Sequence, residues 1–498
     1  MSYYSIEGSL FHPISVCVIF LIILYIIRRP RIGINEPPFV PYAIPILGHT
    51  YNYLIHTKRF IKECKEQYGD SFSIYVFGRI ITIAARSSLN EVFKNHEDFG
   101  STVPESIPFH KLFLYSNGLS KEVLRFNAKI TREEISAKFD VYAPIIQKYI
   151  SKGIDKWIGN CEGPKVFYDT WMRANNIIAL PIANILVGEK AATHDLVNSL
   201  ANWSFDLGIL VALPPIFSFI HPKLHEFLVT LPIILGWNPI TSHRKVIIEN
   251  VGPIIERRLN EKKVWGANYK PSNDLLEYYI TQPDFVNRFQ YYIDTLFILT
   301  FGAIGTTSRA TTNALFDLGG RPQFMKELYE EALRIDKECN GSPKLSDLKK
   351  MKKLDSFVKE SLRHTDEIVN LPHIVESESY TFSNGYTIPK GRTVKMYMED
   401  LLKSKEAYGE DAEEFKPFQF VNTDSSATKI DRSFAVFGGG KHACPGRFFA
   451  INETKLVLHK LILKYKITTH SGKVDNKLVI GTITLPPKSG LVFENRQM

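Results

Sequence analysis

One stretch of seventeen residues near the C-terminal end constrains this chain more than any other: Phe434 to Ala450 reads FAVFGGGKHACPGRFFA and runs straight into a helical stretch, INETKLVLHKLILKY. Gly438, Gly439 and Gly440 let the backbone turn tightly and approach a flat ligand, and Pro445 with Gly446 shapes the turn into the helix. At its centre stands Cys444. A cysteine just ahead of a helix N-terminus gains from the dipole and from free backbone N–H groups, which lower its pKa and favour the thiolate that ligates a metal. Phe437 would shield the sulfur, while His442 and Arg447 offer donors to carboxylates on a ligand. On the residues alone a second reading stands beside this one, a glycine-rich turn around a buried, inert cysteine.

The opposite end is apolar. Leu10 to Ile27 reads LFHPISVCVIFLIILYII before Arg28, Arg29, Pro30 and Arg31. Eighteen residues at about 1.5 Å each span roughly 27 Å, close to the thickness of a hydrocarbon core. Glu7 ahead of the run and the lack of a small-x-small cleavage site favour an anchor over a removable signal. The arginines that follow place the remainder in the cytosol. The five cysteines form no CxxC and no repeated spacing, which excludes a disulfide framework and a zinc cluster and suits a reducing compartment. The net charge of +9 is scattered over the chain, which favours an anionic membrane surface or an acidic protein partner; no nucleic-acid partner is expected.

Pro37, Pro38, Pro41 and Pro45 form a stiff stretch after the anchor. A helix over Arg59 to Tyr68 and a β-hairpin, Phe72 to Val76 and Arg79 to Ala84, follow. The pattern is then mostly helical to about Glu376, interrupted by an apolar region between Trp203 and Trp237 in which Pro214 and Pro215 forbid a second membrane span. That region reads as a buried helix pair or as a lid or membrane-dipping surface. Strands return after Tyr380 and again in KLVIGTITLPPKSGLVF. The expected fold is mainly α with small β-sheets (α+β), divided into an anchor over residues 1–30 and a single domain over 31–498.

The spacing F-x-x-G-x-H-x-C-x-G, carried by Phe437, Gly440, His442, Cys444 and Gly446, resembles the haem-binding signature of the cytochrome P450 family. The resemblance implies the family's fold, haem b as cofactor and Cys444 as axial ligand of its iron. The family usually has Arg where His442 stands; histidine keeps a donor for a haem propionate and makes its charge pH-dependent. Glu360-Ser-Leu-Arg363 resembles the family's ExxR helix, 444 − 360 = 84 residues before the cysteine. Side chains at i and i+3 share a helix face and can form a forked, charge-assisted pair, whereas an arbitrary E-x-x-R is a solvated surface pair. In the family a later Arg completes this pair beneath the cysteine loop. Here FKPFQF, Phe415 to Phe420, carries Gln419, so the expectation is hydrogen bonding without charge, with Glu360 matched by Arg363 alone.

FGAIGTTSRATTNALFDL, Phe301 to Leu318, resembles the family's long central helix. Small residues at Gly302, Ala303 and Gly305 would leave room for oxygen and substrate. Thr306 then becomes the proton-delivery residue with Thr307 beside it, since Gly305 replaces the usual acid; the rival role for such hydroxyls is back-bonding to the preceding turn. His373 and Arg125 stand where the family offers cations to haem propionates, and Arg125 with Lys129 is alternatively a reductase contact. The implied activity is a haem-thiolate monooxygenase of the fungal microsomal type, inserting one atom of O2 into an apolar small molecule. Its implied partners are an NADPH-cytochrome P450 reductase, met on a basic face with Lys441 and Arg447, and cytochrome b5 as an optional second donor. The implied location is the endoplasmic reticulum membrane. The pocket is expected from Trp203 to Trp237, Phe99 to Pro108 and Ile368 to Ile374. Two rivals remain, a reductase-independent isomerase or dehydratase, motivated by Gly305, and a non-catalytic haem carrier, motivated by Gln419 and the altered motifs.

Overall fold

The turn of the first hairpin is written in its residues. In SFSIYVFGRIITIA the β-branched and aromatic residues favour strands, and Phe77 (φ +52°) and Gly78 (φ +73°) both take the positive φ that a two-residue type I′ turn needs. The computed structural model describes residues 7–101 and 121–497. In it β1 (Ser71–Val76) and β2 (Arg79–Ala84) pair from Ser71↔Ala84 to Val76↔Arg79. The hairpin does not stand alone. β2 pairs in parallel with β8 (Thr393–Tyr397), Ile81 facing Thr393, and the five-stranded sheet is completed in the order β1-β2-β8-β5-β3 by β5 (Val369–Val375) and β3 (Phe99–Ser101).

The expectation of helix up to Glu376 is corrected here. The helix Lys352–Arg363 ends at Arg363 and Val369–Val375 is a strand, because VNLPHIV combines β-branched residues with Pro372, which cannot continue a helix. Leu371 at φ +50° marks an irregularity where the register slips between Asn370 and His373. A second sheet, β4-β12-β9, joins β4 (Lys165–Phe167) to β9 (Tyr465–Thr469) and β12 (Leu491–Asn495). Two short hairpins, β6 (Ser379–Thr381) with β7 (Thr387–Pro389) and β10 (Leu478–Ile480) with β11 (Ile483–Leu485), account for the other strands.

Helices enclose the main core. Its axis is a long helix built from Phe289–Thr300 and Thr306–Gly319 with a π-helical segment, Phe301–Gly305, between them. Ser308 Oγ donates to Asn175 Oδ1 (3.0 Å) and Asn175 Nδ2 to the Ala201 carbonyl (2.8 Å), which ties this axis to the helices Thr170–Val187 and His194–Ala212. Trp203 is fully buried and its indole N–H reaches the Phe297 carbonyl at 3.3 Å. A smaller apolar cluster lies under the hairpin, where Phe60 and Ile61 meet Phe72, Ile74 and Val76.

The apolar region from Trp203 to Trp237 is a helix pair, His194–Ala212 and Pro222–Ile234, broken at Pro214 and Pro215. Only its base is buried: Leu213, Ile216, Phe217, Ile234 and Trp237 are exposed at its tip. The N-terminal helix runs Glu7–Arg28 with Val16, Ile19 and Ile26 exposed. Among the described residues no helix is long and apolar enough to cross a membrane.

Candidate functional site

The helix Lys352–Arg363 carries a carboxylate with no access to water. Glu360 is 0% and Arg363 1% exposed, and they form a fork: Arg363 Nε donates to Oε2 and Nη2 to Oε1, both at 2.8 Å. The rest of the guanidinium is consumed by the carbonyls of Leu402 (3.0 Å), Ala412 (2.6 Å) and Glu414 (2.9 Å). Glu360 is not left to Arg363 alone. Gln419 Nε2 donates to Oε2 at 2.6 Å and the Lys416 backbone N–H to Oε1 at 2.6 Å, so the amide does supply the third partner without charge. Burial would raise the Glu360 carboxyl, but Arg363 first, then His364 and the Lys416 N–H, hold it down to about 2.

Tyr408 links this network to the cysteine loop. Arg363 lies 4.6 Å over its ring, and its hydroxyl donates to the Ser433 carbonyl at 2.9 Å. From there Phe434 goes into the core, 0% exposed. The loop then folds on itself, the Cys444 N–H donating to the Phe437 carbonyl at 2.8 Å. Phe93, from the helix Arg86–Lys94, lies directly under the glycines. A Cβ on Gly439 would come within 2.6 Å of its ring, and one on Gly440 (φ +59°) would run into its carbonyl oxygen. Cys444 sits two residues ahead of Gly446, which opens the helix Arg447–Lys464. The expected lowering of its pKa is reversed: burial pushes the thiol up, and the Gly446 and Arg447 N–H groups with the Arg447 charge offset only part of that. A helix start alone does not ionise this sulfur; a bound cation would.

The structure brings His373 and His442 together, ring centroids 5.9 Å apart, with Phe93 at 5.9 Å from His373. His442 Nε2 is 3.1 Å from the Phe99 carbonyl. His373 Nδ1 is 2.9 Å from the Leu371 carbonyl, and its Nε2 is buried without a partner among the described residues. Arg447 spends its donors on the carbonyls of Thr428 (3.1 Å) and Cys444 (3.0 Å). Arg125 is exposed on the helix Lys121–Ile130. A sulfur at a helix start, a glycine turn with no room for a side chain and an orphaned imidazole nitrogen fit a flat, carboxylate-bearing iron ligand such as haem b.

Thr306 lines a cavity of about 300 Å³ with Phe301 and Gly305. Its hydroxyl back-bonds to the Gly302 carbonyl at 2.6 Å. Thr307 is not brought to the cavity; it is buried with its Oγ1 unpartnered. The expected apolar region contributes Ser204, Phe205 and Leu213 to Pro215, and the Ile368 to Ile374 stretch contributes Asn370 and Pro372. Of Phe99 to Pro108, residues 99–101 form β3 and the remainder lies outside the described residues.

Sequence reasoning missed Phe93, for which no local signal exists. It also missed His364, whose Nε2 lies 2.6 Å from Arg363 Nη2 and 3.4 Å from Glu360; the i+4 spacing from Glu360 was the available signal. Tyr53 and the β10–β11 turn, remote in sequence, also reach the cavity wall.

Two outcomes are expected. Because folding depresses the Glu360 carboxyl to about 2 from its ordinary ~4.3, its contribution is whole above that ordinary value and is lost as pH falls through the folded value. Chemical denaturation of Glu360→Gln should therefore show a deficit of about 3 kcal/mol near neutral pH that shrinks toward zero as the pH approaches about 2. Gly440→Ala should purify folded by circular dichroism yet with a haem-to-protein ratio well below the parent's, since only a shifted loop admits the methyl group.

The family model described as "Cytochrome P450" matches residues 37–492. Cytochrome P450 monooxygenase 71 of Postia placenta is 30% identical over 95% of this chain and 96% of its own. Cytochrome P450 monooxygenase 151 of the same fungus is 34% identical, over 49% of this chain and 52% of its own. Lanosterol 14-alpha demethylase of Candida tropicalis is 23% identical over 99% and 97%. The match is to a class of oxidoreductases and spans the hairpin, the central helix, the buried Glu360 pair and the cysteine loop alike: this chain belongs to the cytochrome P450 family.

Proposed function

We propose that the chain is a membrane-anchored haem-thiolate monooxygenase that inserts one atom of O2 into an apolar small molecule, with electrons from an NADPH-dependent reductase. The observation that carries the reading is the Cys444 loop, braced from below by the Glu360 network through Tyr408 and held open by glycines against Phe93. Haem b bound there would supply dioxygen activation, with the thiolate pushing electron density toward O–O cleavage.

The chain's own residues do the rest. Cys444 would hold the haem iron, and His373 Nε2 with His442 would hold the propionates. Thr306 exchanges its bond to the Gly302 carbonyl for one to water and passes a proton at its Oγ1 to the reacting oxygen. Gly305 supplies no acid, so the relay runs through the hydroxyl and water. The apolar walls contributed by Phe77, Phe205, Leu213 and Phe301 exclude bulk water and hold the substrate body. The helix Glu7–Arg28 and the exposed tip around Ile216 and Trp237 support attachment to the endoplasmic reticulum membrane, and the exposed Lys441 beside the cysteine supports reductase docking. The residues after the anchor form a single catalytic domain.

A second reading, a reductase-independent isomerase or dehydratase, is favoured by Gly305. The carrier reading keeps its support from the altered motifs at Gly305 and His442 and loses that from Gln419, whose amide reaches Glu360. The dithionite-reduced, carbon monoxide-treated protein should show a strongly red-shifted Soret band that Cys444→Ala abolishes. Turnover that needs both NADPH and reductase and adds one oxygen atom to the product separates monooxygenase from isomerase. Thr306→Ala should keep consuming NADPH while product formed per NADPH falls by about tenfold or more.

A further inference from the structure

Arg309 and Lys395 line the cavity beside Thr306, and among the described residues a carboxylate neutralises Arg309 alone. Arg309 Nη2 donates to Glu367 Oε1 at 2.7 Å and Nη1 to the Thr484 carbonyl at 3.2 Å, while Asn370 completes Glu367 at 2.9 Å. Among the described residues Lys395 meets Tyr53: its Nζ lies 3.2 Å from the phenol oxygen and 5.6 Å from the ring centroid. Among the described residues no ion pair joins Lys395 to a carboxylate. Several neighbouring and remote cations do meet a carboxylate, Arg392 with Glu36, Lys403 with Glu413 and Lys455 with Asp355.

Strand geometry aims the lysine. In β8, Thr393 and Lys395 line the cavity, whereas Val394 and Met396 between and beyond them are 0% exposed and face the core. A cation on the wall of a largely apolar cavity favours an anionic group on the molecule that enters it, through a charge-assisted hydrogen bond. One ammonium balances one negative charge, which suits a carboxylate better than a doubly charged phosphate. The Tyr53 hydroxyl accepts from Lys395 and keeps its own proton for a carboxylate oxygen.

We infer that the cavity takes an amphipathic acid, whose carboxylate pairs with Lys395 and Tyr53 while its hydrocarbon body lies along Val76, Phe77, Leu213 and Phe301 toward Thr306. This assignment rests on the monooxygenase reading of the same cavity and makes the hydrocarbon, not the acid end, the part presented for oxidation. Lys395 is then the residue that sets substrate class.

The test uses the haem-loaded protein and isothermal titration with octanoate and dodecanoate against their methyl esters. The acids should bind about tenfold more tightly than the esters, about 1.4 kcal/mol. Lys395→Met should erase that preference with the carbon monoxide band intact, and Lys395→Arg should keep it. Equal affinity for acid and ester, a preference that survives Lys395→Met, or no binding of either overturns the inference. A parent protein without the red-shifted band fails the monooxygenase reading instead, so the two failures are told apart.

Discussion

A single carboxylate without access to water sets the terms for the rest of this structure. Taking Glu360 and Arg363 into the interior is costly, and a forked pair alone does not offset desolvation of two ions. The offset comes from saturation: Arg363, Lys416 and Gln419 supply the donors to the carboxylate, and Arg363 gives its other hydrogens to three carbonyls. Those carbonyls belong to residues 402, 412 and 414, so the pair also gathers an irregular segment that few regular hydrogen bonds would otherwise order. Through Tyr408 that order reaches Ser433, and from Ser433 the chain has eleven residues to place the Cys444 sulfur. The cysteine's position is set at a distance, by charge buried under it.

Much of this was legible in the residues because it is local. The Phe77-Gly78 turn, the Glu360/Arg363 spacing and the glycines before Cys444 each carry their geometry within a few positions, and the structure contains all three features. What was not legible depends on packing between distant segments. Nothing near Gly440 announces that Phe93 fills the space beneath it. Apolar periodicity extended the helices past Arg363, where Pro372 and β-branched neighbours instead made a strand that needed β8 as partner. The Cys444 thiol moved opposite to expectation because burial, invisible in a string of letters, outweighs the helix start. Gln419 looked like a loss until its distance to Glu360 was known.

The central helix is adapted rather than regular where the cavity meets it. A π-helical turn over Phe301–Gly305 widens the backbone just before Thr306, a device common where helices carry function. Ser204 steadies its start by donating to the Thr300 carbonyl at 3.1 Å, and Thr306 closes its end through Gly302. A Cβ on Gly302 would meet open space and one on Gly305 only ordinary contact with Ser204 at 3.5 Å, so the widened turn keeps one face bare. The missing acid at Gly305 therefore goes with a roomier wall, and the proton path and the volume available to substrate are two results of one local choice.

The parallel pairing of β2 with β8 has a consequence for how the molecule comes into being. Ile81 meets Thr393 across 393 − 81 = 312 residues of chain, so the sheet that walls the cavity cannot close until most of the polypeptide has left the ribosome. Contacts so distant in sequence close slowly, and the hairpin's free edge must wait unpaired through most of synthesis. The loop that would grip haem and the strand that completes the sheet both lie in the last quarter of the chain, so the pocket is assembled only as synthesis ends.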